Sequence, residues 1–147
     1  MTSVDGSQPI SMPITPMQTI YEGSVLTISG AVLALSSTSG SQFVAIADQA
    51  SLDDEGVARI TRSGEYIGVH LAGTGHIVRV KSTAVTYTIG EGVYVGNTTG
   101  YSMDNGAAGM GAYRIGTSKE AVTAVAADLI TVVLDSPSGL AKQVGLA

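Results

Sequence analysis

The sequence of 147 residues contains no cysteine and no tryptophan, and only one phenylalanine. Without cysteine the chain has no disulfide framework, no thiol nucleophile, no iron–sulfur cluster and no cysteine-ligated zinc, a pattern typical of proteins that fold in a reducing compartment. Charge is also scarce, at 13% of residues, and no Lys or Arg precedes Arg59. With a net charge of −5 and no cluster of basic residues, a nucleic-acid partner is not expected.

Long apolar runs are missing as well. The longest uncharged stretch, residues 23–47, is interrupted by Ser, Thr and Gln, so the sequence predicts a soluble protein without a membrane partner. The first residues lack the basic and apolar regions of a signal peptide, so we expect synthesis in the cytoplasm. The 44% hydrophobic content predicts a folded domain with a substantial core.

Apolar residues alternate with polar ones through most of the chain, and clusters of Gly, Ser, Asn and Asp interrupt the alternation every 8 to 15 residues. This pattern is typical of an all-β fold, here a small β-barrel or sandwich with an extended N-terminal arm. Strands are predicted at 24–29, 31–36, 42–47, 57–63, 66–71, 76–81, 85–89, 93–95, 112–117 and 129–135, with a hinge at Gly30 and a turn at 37–41.

The alternation also assigns side chains to faces. In the strand predicted at 66–71 it places Ile67, Val69 and Leu71 inward and His70 outward. In the strand that follows, Arg79 and Lys81 share the face opposite to its two central valines.

Two segments carry a weaker strand pattern. Residues 118–128 begin like a helix cap and contain several alanines, so a short helix and a strand continuing into a loop are both open, with the strand favoured. Residues 96–111 contain five glycines in the stretch GNTTGYSMDNGAAGMG and predict a mobile loop or a hairpin tip.

The N-terminal segment, residues 1–20, holds three of the four prolines, which exclude a helix and favour an extended chain. Its apolar residues would be exposed to water unless they lie on another surface. We therefore predict an arm that docks on a partner, the alternative being a frayed terminus. The β-domain is expected at 21–135, followed by a C-terminal tail, 136–147, which is a second possible docking element.

Residues with catalytic or ligand-binding chemistry are few. The two histidines, His70 and His76, are too few for a metal site, and no nucleophile elbow or catalytic triad is recognisable. A hydrolase using Glu65 and Glu91 is a weak possibility. We therefore expect no enzyme activity, no cofactor and no metal.

Four basic residues could form a stripe on one sheet: Arg59, Arg62, Arg79 and Lys81. Such a stripe would pair with acidic groups, either within the chain or across an interface. The alternative is a solvated face.

Several short motifs resemble the capsid cement, or head decoration, proteins of tailed bacteriophages. These motifs are YEGSVLTI at 21–28, GEYI at 64–67, YTIGEGVYV at 87–95, RIGT at 114–117 and LITVVLD at 129–135. The resemblance spans about residues 21–135 and leaves out the N-terminal arm, the tail and residues 118–128.

The resemblance implies a structural protein on the outer capsid surface of the virion, forming a homotrimer that bridges neighbouring copies of the major capsid protein. The residues expected at the capsid or subunit interface are Pro9, Ile10, Met12, Pro13, Ile14, Pro16, Met17, Arg59, Arg62, Arg79 and Lys81. A chain lacking residues 1–20 is expected to fold and to lose capsid binding. The alternative function is a carbohydrate-binding adhesin module that uses Tyr66, Tyr94 and Tyr101.

Overall fold

A computed structural model describes residues 2–36, 43–96, 98–104 and 113–134. Within these ranges the chain is all-β and has no α-helix. The strands are β1 (Ile10–Pro13), β2 (Val25–Ser29), β3 (Val32–Leu35), β4 (Val44–Ala47), β5 (Tyr66–Leu71), β6 (Ile77–Lys81), β7 (Thr86–Tyr87), β8 (Gly92–Val95), β9 (Ser102–Asp104), β10 (Arg114–Ser118), β11 (Val122–Thr123) and β12 (Leu129–Leu134).

Ten of these strands form two antiparallel sheets. The first sheet has the order β1-β5-β4-β2-β3 and the second has the order β6-β12-β10-β8-β9, while β7 and β11 pair separately. Because the two sheets share an apolar core, the architecture is a sandwich, and the predicted all-β fold is confirmed.

The main core lies between the two sheets. It combines Val25, Val44 and Ile46 of the first sheet with apolar residues of the second sheet and its connections, including Val78, Val80, Tyr87, Val93, Val95, Ile115, Ile130, Val132 and Leu134. Side chains on a strand alternate between faces, so the other face of the first sheet needs a cover of its own.

The N-terminal segment provides that cover. β1 pairs antiparallel with β5, and beyond it the Thr15 amide donates to the Leu33 carbonyl oxygen at 2.8 Å. Ile14 and Ile20 enter a second core with Leu26, Leu33, Ala45, Ala47, Ile67 and Val69. All four residues of β4 are buried, because the strand has a core on each face.

This packing corrects the predicted docking arm. The segment is extended as predicted, but the side chain of Ile14 is only 2% exposed and Met12 packs against the same core. The proposed boundary at residue 20 therefore passes through a core. A chain without residues 1–20 would leave the face around Leu26 and Val69 open to water, so we no longer expect it to fold.

Three other predictions from the strand pattern need correction. Residues 57–63 form only isolated bridges rather than a strand. His70 lies on the face opposite Ile67, as predicted, but it is 1% exposed, because that face is covered by the second sheet and the N-terminal residues. Lys81 is 9% exposed, so the solvated face left open for the basic residues is wrong for Lys81.

The remaining strand predictions agree with the structure over the residues it describes. Gly30 turns the chain between β2 and β3 with a φ of 64°, a conformation that glycine adopts without steric cost. Residues 118–128 contain β11 and no helix. The glycine-rich segment has one strand that the pattern missed, β9, which pairs with β8. The turn at 37–41 and the tail at 136–147 lie outside the described residues.

The sequence also predicted no membrane span. Over the described ranges, no helix of the length and apolar content needed to cross a membrane is present.

Candidate functional site

The most exposed large apolar side chain in the described residues belongs to Met17, at 74%. Its φ of 69° lies in the left-handed region, which costs a non-glycine residue about 1–2 kcal/mol. Thr61 holds this conformation, since the Met17 amide donates to its carbonyl oxygen at 2.9 Å and the Gln18 amide donates to its Oγ1 at 3.1 Å. The hydroxyl of Thr61, 1% exposed, donates in turn to the Thr15 carbonyl oxygen at 2.6 Å. A buried hydrogen-bond network thus fixes an apolar side chain in solvent.

The loop facing Met17 is held by Arg59. Its guanidinium donates to both carboxylate oxygens of Glu65, at 2.8 Å and 3.0 Å, and to the carbonyl oxygens of Leu52 and Ile60. This pairing raises the pKa of Arg59 and lowers the pKa of the Glu65 carboxyl, against the opposing effect of partial burial. The loop is therefore tied internally, and Ile60 is displayed at its surface, 50% exposed.

Met17 and Ile60 form one surface. Together with Pro16, Thr61, Arg62 and Ser63 they line a shallow, almost wholly apolar depression of about 630 Å³ that also reaches Arg59. Arg59 also lines a second depression of about 400 Å³, together with Leu52 and Tyr66, among others. We call Pro16, Met17, Ile60 and Arg62 the Met17 surface.

The structure brings some of the predicted interface residues together and separates others. Pro16, Met17, Arg59 and Arg62 surround one depression. Ile14 belongs to the second core instead, so the prediction is wrong for Ile14. Met12 is half-buried against that core, and its interface role stays a prediction. Pro9 and Pro13 are half-buried at β5, and the exposed Ile10 lies on β1, where its interface role stays a prediction.

The basic residues do not form a stripe. Arg59 and Arg62 lie in the loop before β5, whereas Arg79 and Lys81 lie on β6 in the other sheet. The Nζ of Lys81 packs over the rings of Tyr21, at 4.4 Å, and Tyr101, at 4.7 Å, which explains its burial. Pairing within the chain is confirmed for Arg59.

The tyrosines proposed for sugar stacking do not share one exposed platform. Tyr66 is 63% exposed, but Tyr94 is 8% exposed and Tyr101 packs on Lys81. An adhesin would thus have one of the three rings freely accessible.

The groups considered for catalysis are engaged in structural hydrogen bonds. Glu65 accepts from Arg59, and Glu91 accepts from the amide and hydroxyl of Thr88. Among the described residues, no three His, Asp or Glu side chains are grouped so as to hold a metal ion. His70 and His76 do meet, Nδ1 to Nδ1 at 3.2 Å, and His70 Nε2 lies 2.9 Å from Asp48 Oδ1.

Two features of the structure were not predicted from the sequence, namely the left-handed conformation of Met17 and the contact between the two histidines. The left-handed Met17 has no local signature, because methionine rarely adopts that conformation and its cause, Thr61, is distant in the chain. The contact between the two histidines depends on strands of different sheets coming together at one edge.

No family model, curated protein or solved structure matches the chain.

The pairing of Glu65 predicts a specific acid sensitivity. A carboxyl whose pKa falls on folding stabilises the protein fully above its unfolded pKa, about 4.3, and that stability is lost as the pH drops through the folded value. We expect Glu65→Gln to be less stable than wild type at pH 7. Between pH 5 and pH 3 its Tm should fall by a few degrees less than the Tm of wild type. Thermal melts across this range test it, with the exposed loop residue Glu55→Gln as control; identical pH slopes for wild type and Glu65→Gln would contradict it.

Proposed function

We propose that this protein is a structural head decoration protein of a tailed phage, which binds the outer capsid surface as a trimer and stabilises contacts between major capsid subunits. The motifs at 21–28, 87–95 and 114–117 support this proposal through their resemblance to that family. The engaged state of Glu65 and Glu91 supports a binding role over a hydrolytic one.

The Met17 surface is the proposed contact with the capsid, and the conformation of Met17 is the observation that carries it. A left-handed methionine at 74% exposure has a steric cost and leaves an apolar side chain in water. Strained residues that the surrounding structure holds in place are concentrated at functional sites. A partner that buries Met17 and Ile60 would gain up to about 1.5–3 kcal/mol for Met17 and about half of that for the half-exposed Ile60.

A phage capsid is a suitable partner for the Met17 surface. A capsid repeats each of its surface sites, so a trimer would present three Met17 surfaces to it at once. Binding at several sites on one shell raises the overall affinity far above that of a single contact. A shallow apolar contact is therefore sufficient for stable decoration.

Substitution of Met17 tests the proposal. Met17→Gly relieves the left-handed strain and removes the apolar side chain, so we expect unchanged or higher stability together with about a hundredfold weaker binding to undecorated capsids of its own phage. Met17→Asp should weaken binding at least as much. The measurement is co-sedimentation with capsids across a range of protein concentrations, beside thermal melts of the free protein.

The matched control is Ile89→Asp, because Ile89 is 73% exposed and lies after β7, outside the Met17 surface. It should bind like wild type. Wild-type affinity in Met17→Asp would rule out this surface, and failure of the wild-type protein to bind capsids would overturn the function. Binding of the purified protein to a glycan array would favour the adhesin instead.

A further inference from the structure

The first residues of the chain form a strap along the exposed edge of β6. The Val4 amide donates to the Ile77 carbonyl oxygen at 2.8 Å, and the Arg79 amide donates to the Thr2 carbonyl oxygen at 3.0 Å. Asp5 Oδ2 accepts from the Ile77 amide at 3.1 Å. We call residues 2–5 the strap.

A series of polar contacts connects the strap to both sheets. Thr2, 0% exposed, directs its amide and hydroxyl at Asp48 Oδ1, at 3.3 Å and 3.4 Å. The same oxygen lies 2.9 Å from His70 Nε2, and His70 Nδ1 meets His76 Nδ1 at 3.2 Å. His70 comes from β5 of the first sheet, and His76 immediately precedes β6 of the second. The two imidazoles thus join the sheets next to the strap.

The geometry limits how many protons this pair can hold. The Thr2 amide donates to Asp48 Oδ1, so this carboxylate oxygen is an acceptor. It therefore also accepts from His70 Nε2, which carries a proton. The contact between the two Nδ1 atoms needs one proton, supplied by either ring. A second proton there would set two N–H groups head to head at 3.2 Å. While the contact persists, the pair therefore holds at most one positive charge.

We propose that the His70–His76 contact holds the strap on β6 and opens when the pH falls. We call this contact the catch. Once the contact opens, both Nδ1 atoms are free to bind a proton, so the open pair binds one proton more than the closed pair under acidic conditions. The closed state is therefore favoured as the pH rises, and acid releases it. This inference is independent of the proposed capsid function.

The other charged groups next to the pair do not account for this effect. Among the described residues, hydrogen bonds place Asp48, at the end of β4, and Asp5, in the strap, next to the pair; β12 contributes the backbone amide of Leu134, which donates to the His76 carbonyl oxygen. Hydrogen bonds from the Ser7 hydroxyl, the Ser7 amide and the Ile77 amide lower the pKa of Asp5 far below its usual range. Asp5 therefore stays ionised between pH 5 and pH 7.5.

Hydrogen exchange tests the catch. The protection factors of the Val4 and Arg79 amides, corrected for the intrinsic pH dependence of exchange, should fall between pH 7.5 and pH 5.0, by up to about tenfold per pH unit, the limit set by one additional proton. Amides of the β2–β3 hairpin serve as the internal reference. Protection of the strap that is unchanged over this range would overturn the proposal.

Two variants identify the group responsible. In His76→Asn the side chain can still bond to His70 Nδ1 but takes up no proton, so strap protection should be the same within about twofold at both pH values. Asp5→Asn, the control, keeps both imidazoles and should keep the acid dependence. An equally acid-sensitive His76→Asn would overturn the proposal.

Imidazole ¹⁵N spectra of the wild-type protein give a test that needs no variant. At pH 5.5 we expect no more than one of the two rings to be charged in molecules whose strap is closed. Two charged rings beneath a fully protected strap would be incompatible with the catch.

Discussion

Ile14→Ala is expected to lower the free energy of unfolding by about 3 kcal/mol, and with it Tm by about 10 °C. Ile14 is 2% exposed and lies in the second core, where it pairs with Leu33, so the truncation removes buried methylene groups and leaves a cavity. Urea unfolding followed by circular dichroism measures the change through the midpoint at constant m-value.

Ile10→Ala is the matched control, because Ile10 lies on the same N-terminal segment but is 48% exposed. It should cost less than about 1 kcal/mol. Equal, small effects for the two variants would mean that the N-terminal segment is not part of the folded core, and would restore the docking arm expected from the sequence.

Gly116→Ala is expected to cost about 3 kcal/mol or more and to leave little folded protein at 37 °C. Gly116 lies on β10, the central strand of the second sheet, opposite Val93 on one side and Leu134 on the other. A Cβ at this position would collide with the backbone carbonyl oxygen of Val133 and would lie 2.9 Å from Val132 Cγ1. Backbone atoms of a central strand cannot move aside without breaking the ladder, so the strain spreads through the sheet.

Gly68→Ala provides the comparison within the other sheet. Gly68 also lies on a strand, β5, but a Cβ there would make ordinary contacts with Pro9, the nearest at 3.5 Å. We expect a change within about 0.5 kcal/mol of zero, measured by the same denaturation series. A tolerated Gly116→Ala would show that β8, β10 and β12 do not pack as described here.

Ile14 and Met17 are three residues apart, yet Ile14 contributes to stability and Met17 to the proposed binding function. Ile14 enters the core, and Met17 leaves it through a left-handed turn anchored by Thr61. Substitutions at Ile14 should therefore act through folding, whereas those at Met17 should act through binding. Sequence patterning treats both as apolar residues of a proline-rich segment, and both were predicted to dock.

Regular strands could be predicted well because alternation is a local property. The hairpin at Gly30, the buried strand β4 and the strands β5, β6 and β12 all follow from apolar spacing and turn residues. Residues 57–63 alternate equally well, yet they form only bridges, because Arg59 and Thr61 bond to the loop and to the N-terminal segment instead of to a strand ladder.

The candidate site was predicted only in part. Pro16, Met17, Arg59 and Arg62 were chosen from composition and do lie around one depression. Arg79 and Lys81 were chosen by the same reasoning and lie elsewhere, Lys81 between two tyrosines. Ile60, which shares the surface with Met17, was not chosen at all, since nothing local distinguishes an exposed isoleucine from a buried one.

Local order along the chain was enough to establish an all-β protein, extended N-terminal residues and a lack of cysteine chemistry, since these depend on near neighbours and composition. It could not establish which molecule covers the apolar N-terminal residues. That depended on the second face of the first sheet, which Ile14 and Ile20 cover in the same chain. Burial is a property of three-dimensional neighbours, and residues about 20 positions apart, such as Ile14 and Leu33, become neighbours only when the first sheet assembles.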